Sequence, residues 1–120
     1  SLVRETDFAG MVSGRDGDKF AVAGLTAVKS ELVDAPYVAE CPLVLECRVV
    51  GVHELGLHTQ FIGEIMDVKA EESALDAEGR LVPEALAMFA YIGELRAYFP
   101  LGESLGKSFS IGREIAEKKA

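Results

Sequence analysis

Two histidines are the side chains in this sequence best suited to chemistry at neutral pH. His53 and His58 lie five residues apart, on either side of a predicted chain reversal. An imidazole donates or accepts a hydrogen bond and titrates near neutral pH, so either one could orient a ligand. The sequence offers no further ligands at a spacing that would complete a metal site, and we predict none. On their own, both histidines are most simply polar residues at the end of a hairpin.

The remaining reactive side chains have simple structural explanations. Lys19 lies in a turn flanked by glycines and could hold an anion, although most lysines in turns only contact water. Cys41 and Cys47 are six residues apart in an extended segment, about 20 Å, which exceeds the reach of a disulfide. We therefore expect two free thiols and a small, buried, apolar Cys47. Core or interface positions are expected for the aromatic residues Tyr91, Tyr98 and Phe99.

Length and charge exclude several classes of function. A chain of 120 residues fits one domain with a modest core, residues 1–120. Twelve basic and twenty acidic residues give a net charge of -8, which repels nucleic-acid backbones and anionic lipid surfaces. The apolar run at 85–92 is too short to cross a bilayer, so we predict a cytoplasmic protein that binds neither nucleic acid nor membranes. The sequence contains no motif of P-loop, Rossmann, zinc-protease or α/β-hydrolase type.

A long β-hairpin is the strongest structural prediction. Apolar and polar residues alternate with a period of two from residue 42 to residue 70, with a break at 54–57. The second face of this hairpin is mixed in character, so a partner subunit could cover part of it. The first strand is predicted to place Leu43, Leu45, Cys47, Val49 and Gly51 on one face and Val44, Glu46, Arg48, Val50 and Val52 on the other.

Shorter elements are predicted on both sides of the hairpin. An amphipathic helix opens the chain and ends near residues 10–14, and a single helical turn at 19–24 is capped by Gly24. The acidic stretch at 71–79 has the composition of a solvated loop. We further predict a connection with one short strand at 25–40, a helix at 81–89, a strand at 91–101 and a frayed helix at 103–120.

Four strings of residues, in a fixed order, point to a known family. They are SGR…DKF from Ser13, ECPLVLEC from Glu40, GLHTQFIGE from Gly56 and LGE from Leu101. Together they resemble the flavin reductase-like family, and within it the flavoredoxins. The resemblance implies a mainly β chain with short helices that folds as an FMN-binding split β-barrel. It also implies that the family's N-terminal strands, which precede the segment matched by Ser1, are missing.

The resemblance assigns roles to five side chains. Lys19 matches a lysine near the flavin, where a cation would stabilise negative charge on the phosphate or the reduced ring. His58 matches a histidine that faces the ring, and it is the predicted catalytic residue. Tyr91 matches an aromatic residue that packs against the ring. Ser13 and Thr59, in the same two strings, are the other predicted cofactor-binding residues.

The implied function is electron transfer by a homodimeric flavoprotein. The complete protein would be an oxidoreductase that passes electrons from a donor such as NAD(P)H to a flavin, a metal or a protein acceptor. A non-enzymatic remnant that has lost the cofactor and dimerises as an interaction module is the main alternative. A barrel similar to pyridoxamine phosphate oxidase ranks lower, because its basic phosphate-binding clusters are absent from this sequence.

Overall fold

The computed structural model describes residues 1–113 and 115, and it confirms a mainly β chain with short helices. The chain divides into two compact units, residues 1–86 and 87–120, and each is described by itself. The prediction of a helix at 103–120 is wrong for residues 103–112, which form turns or have no regular structure, and residues 114 and 116–120 lie outside the described residues. The elements are α1 (Val3–Met11), α2 (Lys19–Ala23), β1 (Ala27–Lys29), β2 (Pro36–Val38), β3 (Leu43–Leu55), β4 (His58–Ala70), β5 (Phe89–Ile92) and β6 (Ala97–Pro100), with 3₁₀ turns at Glu72–Ala74 and Pro83–Leu86.

Two short helices open the first unit, as predicted. α1 ends at Met11, and α2 begins after Asp18, whose Oδ1 accepts hydrogen bonds from the backbone N–H groups of Phe20 and Ala21. Such a side-chain cap satisfies N–H groups that have no partner within the helix. Gly24 ends α2 in the left-handed conformation, with φ of 68°, so the predicted glycine cap is confirmed.

The predicted hairpin is confirmed, with a turn shorter than the predicted break at 54–57. β3 and β4 are each 13 residues long and pair antiparallel, from Leu43 opposite Ala70 to Leu55 opposite His58. Gly56 and Leu57 alone form the turn. Gly56 has a φ of 69° and Leu57 is not among the described residues with positive φ, which is the pattern of a type II′ turn.

Two β-bulges change the predicted assignment of residues to the hairpin's faces. The pairing skips Met66 of β4 beside Cys47, and it skips Val50 of β3 between Val49 and Gly51. Each skipped residue shifts the alternation of the following side chains by one position. Val52 therefore lies on the same face as Val49, and Gly51 lies on the opposite face. The sequence alternation predicted the reverse for both, because it assumed an unbroken period of two.

The bulges leave one face of the hairpin almost wholly apolar. We call this surface the apolar face; all its members except the half-buried Leu43 are exposed to solvent. The prediction of a buried Cys47 is therefore wrong, because Cys47 belongs to this open surface and its thiol is free. The opposite surface, the charged face, carries Glu46, Arg48, Glu64, Asp67 and Lys69. The apolar face consists of Leu43, Leu45, Cys47, Val49, Val52, Phe61, Ile65 and Val68.

A buried carboxylate attaches the preceding loop to the hairpin. Glu46 is 2% exposed, and its two oxygens accept hydrogen bonds from the backbone N–H groups of Glu31 (3.3 Å) and Leu32 (3.0 Å). The ammonium of Lys69 lies 3.5 Å from the same carboxylate and donates a hydrogen bond to Asp67 at 2.9 Å. The bond from Leu32 and the other contacts hold the pKa of Glu46 below its usual value, despite burial.

A second carboxylate binds the other end of the same segment. Both oxygens of Glu40 lie 3.0 Å from the backbone N–H of Thr26, the residue before β1, and this bond lowers the pKa of Glu40. Within residues 25–40, the predicted connection contains two strands instead of one, since β1 pairs antiparallel with β2. Glu40 and Glu46 belong to one sequence string, and they fix both ends of β1.

The acidic stretch after the hairpin is more ordered than a solvated loop. Ala74, in the first 3₁₀ turn, is only 1% exposed. Asp76 accepts hydrogen bonds from the backbone N–H groups of Glu78 and Arg80, and its other oxygen lies 2.8 Å from Nε of Arg80. These bonds lower the pKa of Asp76, and the largest effect comes from the backbone N–H of Arg80. The predicted helix at 81–89 is reduced to the 3₁₀ turn Pro83–Leu86.

The second unit contains a short hairpin. β5 and β6 pair antiparallel where a single strand was predicted, with Tyr91 opposite Tyr98. The two rings lie 5.1 Å apart between centroids, and Tyr98 meets Phe89 edge to face at 5.7 Å. Such cross-strand aromatic pairs stabilise two-stranded sheets.

Replacing Glu46 tests the attachment of the 31–32 segment. Glu46→Gln is expected to lower the free energy of unfolding at pH 7, because the amide group removes one acceptor oxygen and the charge that faces Lys69. A carboxylate whose pKa is lowered in the folded state stabilises the fold when the pH is above the pKa that it has in the unfolded chain. This contribution is lost as pH falls below about 4.5. Urea unfolding should therefore show a difference between wild type and variant that shrinks on acidification. A difference independent of pH would contradict this role of the charge.

The geometry of the hairpin turn predicts that alanine substitution will destabilise the fold differently at two glycines with equally open surroundings. A Cβ added at Gly56 or at Gly14 would meet no atom within 4 Å, but only Gly56 has a positive φ. Gly56→Ala should cost about 1 kcal/mol of stability, the order of the penalty for an L-residue in the left-handed region. Gly14→Ala should cost much less. Equal losses in urea unfolding would contradict the turn geometry.

Candidate functional site

Lys19 lies where two helices meet. Its Nζ donates a 2.6 Å hydrogen bond to the carbonyl oxygen of Ala9, in the last turn of α1. A cation at a helix C-terminus satisfies a free carbonyl and interacts favourably with the helix dipole, so Lys19 has a structural role here. An ammonium has three donors, and this bond leaves others for an anion.

The cleft beside Lys19 is small and largely apolar. It has a volume of about 120 Å³. Ser13 belongs to the same connection between α1 and α2, and its Oγ accepts a hydrogen bond from the backbone N–H of Arg15. At the beginning of α2, the N–H groups of Phe20 and Ala21 already donate to Asp18, so these two are not free for a phosphate. The residues lining the cleft are Phe8, Val12, Asp16, Gly17, Asp18, Lys19 and Val22.

His58 and Thr59 lie next to the turn at the far end of the long hairpin. His58 is exposed and shares the charged face with His53, whereas Thr59 lies on the opposite side and donates a 3.0 Å hydrogen bond from Oγ1 to Glu54. Leu57, at the turn itself, is 99% exposed. The imidazole of His58 is therefore accessible to a ligand approaching the charged face.

Tyr91 presents a flat ring in the second unit. It is 56% exposed, and Tyr98 supports it from the neighbouring strand. This arrangement leaves ring surface available for stacking on another aromatic system.

The structure groups the five predicted site residues into local sets. Ser13 lies in the connection between α1 and α2, and Lys19 is the first residue of α2. His58 and Thr59 lie at the end of the long hairpin. No hairpin residue lines the cleft beside Lys19. Tyr91 belongs to the second unit.

Sequence reasoning missed the cluster around Lys69. Its hydrogen bond to Asp67, with the nearby charges of Glu31 and Glu46, raises the pKa of Lys69. A glutamate within a strand at the start of an apolar hairpin was the available signal, since such a carboxylate needs partners when it is buried. Lys69 also lines a cleft of about 170 Å³ with Cys41, whose thiol pKa is raised by burial and then by the charge of Glu40.

Within the part of the chain that the structure describes, no three His, Cys, Asp or Glu side chains are arranged to hold a metal ion. None of the described helices has the length and apolar character needed to span a bilayer.

Comparison with known proteins identifies the family. Residues 3–91 match the model of the flavin reductase like domain. Flavoredoxin of Desulfovibrio vulgaris (Miyazaki F) is 46% identical, with a TM-score of 0.85 over 92% of this chain and 59% of its own. Flavoredoxin from Methanosarcina acetivorans is 31% identical, with a TM-score of 0.84 over 95% of this chain and 60% of its own.

A curated relative from Archaeoglobus fulgidus is 39% identical over 77 residues, which are 64% of this chain and 44% of that protein. The chain thus spans less than half of this relative and about 60% of the flavoredoxin chains. The family model nevertheless covers the helices, the long hairpin and the first residues of β5. The chain belongs to the flavin reductase-like family, and the structures it resembles include two flavoredoxins.

Proposed function

We propose that this chain is part of an electron-transfer protein that binds FMN and acts as a homodimer in the cytoplasm. Its similarity in sequence and fold to two flavoredoxins, over more than nine-tenths of its length, is the observation that carries the proposal. A bound flavin would supply the redox chemistry, by accepting and releasing a hydride or single electrons. The donor would be NAD(P)H or a protein, and the acceptor a flavin, a metal or a protein.

The side chains on this chain fit a flavin in part. For the ring, His58 offers an accessible imidazole, and Tyr91 offers an exposed aromatic face. For the phosphate, Lys19 offers a cation with donors beyond its bond to Ala9. Asp18 already accepts from the N–H groups of Phe20 and Ala21 at the start of α2, so the side chain of Lys19 would be this chain's main anchor for the phosphate.

Each of these residues would contribute by binding and orientation. The ammonium of Lys19 would balance the phosphate charge, and the imidazole of His58 would hydrogen-bond to the electron-rich ring. Ser13 and Thr59 would contribute hydroxyl groups beside these two residues. An interaction that is stronger for the reduced than for the oxidised ring changes the reduction potential of the flavin, and a hydrogen bond from His58 would contribute to this difference.

A non-enzymatic interaction module is the second candidate function. The wide apolar face of the hairpin favours it, since an exposed surface of this kind is typical of protein association. FMN titration of the 120-residue chain distinguishes the two candidates. Saturable binding in the micromolar range or tighter would exclude a module that has lost its cofactor, whereas no binding would favour it.

Replacing Lys19 tests its role in binding. Lys19→Ala should weaken FMN binding by roughly 10- to 150-fold, because a hydrogen bond to a charged group contributes about 1.5–3 kcal/mol. Lys29→Ala, which removes an exposed lysine from β1, is the matched control and should have little effect. Because Lys19→Ala also removes the hydrogen bond to Ala9, circular dichroism of the variant is needed to check that α1 remains helical. Equal weakening by both substitutions in fluorescence titrations would contradict the assignment.

Replacing Tyr91 tests stacking on the flavin. A tyrosine in contact with a flavin quenches its fluorescence by electron transfer, and phenylalanine keeps the ring surface but is a much poorer electron donor. Tyr91→Phe should therefore retain FMN and increase the fluorescence of the bound flavin. Tyr37→Phe, in β2, should leave that fluorescence unchanged. An identical fluorescence yield in wild type and Tyr91→Phe would exclude contact between Tyr91 and the ring.

A further inference from the structure

A short hairpin is attached to the base of the long one. We call residues 27–38, which comprise β1, β2 and the loop between them, the flap. Backbone hydrogen bonds close the flap at both of its ends. The N–H of Ala39 donates to the carbonyl of Thr26 at 2.9 Å, and the N–H of Ser30 donates to the carbonyl of Ala35 at 3.0 Å. The flap is therefore a closed hydrogen-bonded unit that precedes the long hairpin.

A single buried carboxylate holds the tip of the flap. The side chain of Glu46 has no exposed area, and it accepts the backbone N–H groups of Glu31 and Leu32. Packing of these two side chains does not hold the tip, since Leu32 is 59% exposed and the side chain of Glu31 is 79% exposed. In the part of the chain that the structure describes, the hydrogen bonds and ion pairs between the flap and the long hairpin all involve Glu46 or Lys69.

The cleft of about 170 Å³ lies between the flap and the long hairpin. Tyr37 of β2 and Lys69 of β4 both line this cleft, together with the half-buried Cys41. Cys41 directly follows Glu40, whose carboxylate binds the base of the flap, so it lies where a movement of the flap would pivot. Burial is the main cause of the raised pKa of this thiol. Movement of the flap away from β4 would remove one wall of the cleft and expose the thiol.

We propose that Glu46 latches the flap onto the long hairpin, and that release of this latch swings the flap as a unit and uncovers Cys41. Two backbone N–H groups donate to one charged carboxylate, and such bonds are stronger than bonds to neutral acceptors. Release would hydrate Glu46, while Asp67, 2.9 Å from the ammonium of Lys69, keeps that cation paired. The open state therefore leaves no charge buried without a partner, and opening requires no unfolding of the long hairpin.

Three substitutions of glutamate by glutamine separate the latch from its surroundings. Glu46→Gln should increase the rate of alkylation of Cys41 by about tenfold, the order expected when a hydrogen bond to a charged group is lost. Glu31→Gln changes the charge of the flap but keeps the backbone N–H, and Glu64→Gln removes an exposed carboxylate elsewhere on the charged face. Both controls should leave the rate unchanged. Peptide mass spectrometry after iodoacetamide treatment measures each thiol separately, with Cys47 as the reference for the long hairpin.

Hydrogen exchange tests whether the flap moves as a unit. In Glu46→Gln the N–H groups of Glu31 and Leu32 should exchange faster, because their acceptor is weakened. The N–H groups of Ser30 and Ala39 should keep their protection, because their bonds close the flap itself. The wild type provides the same test without a substitution. There, one opening equilibrium should govern both the exchange at residues 31 and 32 and the alkylation of the thiol in the cleft.

Four results would overturn the proposal. An unchanged rate at Cys41 in Glu46→Gln would mean that the carboxylate does not hold the flap. An equal increase at Cys41 and Cys47 would mean that the substitution loosens the long hairpin. An equal increase in Glu31→Gln would assign the effect to charge on the flap instead of to the bonds with Glu46. Loss of protection at the two ends of the flap would mean that it unfolds instead of swinging.

Discussion

The antiparallel ladder between β3 and β4, with its two bulges, is the constraint on which the described structure of the first unit depends. Backbone pairing fixes which residues face each other, and the bulges at Met66 and Val50 decide which side each residue takes. Without them, Val52 would interrupt the charged face and Gly51 would interrupt the apolar one. The separation of charge from apolar surface therefore follows from backbone geometry as much as from composition.

The charged face in turn organises the segment that precedes the hairpin. Glu46 is buried because its carboxylate replaces water with two backbone N–H groups and the ammonium of Lys69. Removing a partner from such a group leaves an unsatisfied buried atom, so the cluster tolerates little change. Glu40 likewise accepts a hydrogen bond from the backbone N–H of Thr26, although Glu40 is exposed. One sequence string thus holds β1 in place at both ends.

The sequence predicted the features that depend on local chemistry. The α2 turn with Gly24 and the reversal at Gly56 follow from glycine's access to positive φ, and the long hairpin follows from its period of two. The bulges were not predictable, because one inserted residue leaves composition unchanged and alters only the pairing. The exposure of Cys47 was missed for a related reason, since an apolar pattern indicates a face that should be covered without indicating what covers it.

For the candidate site too, the sequence predicted local features and missed a contact between residues that are not neighbours in the chain. The motifs grouped Ser13 with Lys19, which begins α2, and His58 with Thr59 at one hairpin end. Such local groupings are what short strings can specify. The bond from Lys19 to Ala9 was invisible in the sequence, since it joins residues ten apart through a helix end. Because of that bond, Lys19 has a structural role even without a ligand. A flavin phosphate bound as proposed would share the ammonium with the helix, so cofactor binding and the stability of α1 would be coupled through one side chain.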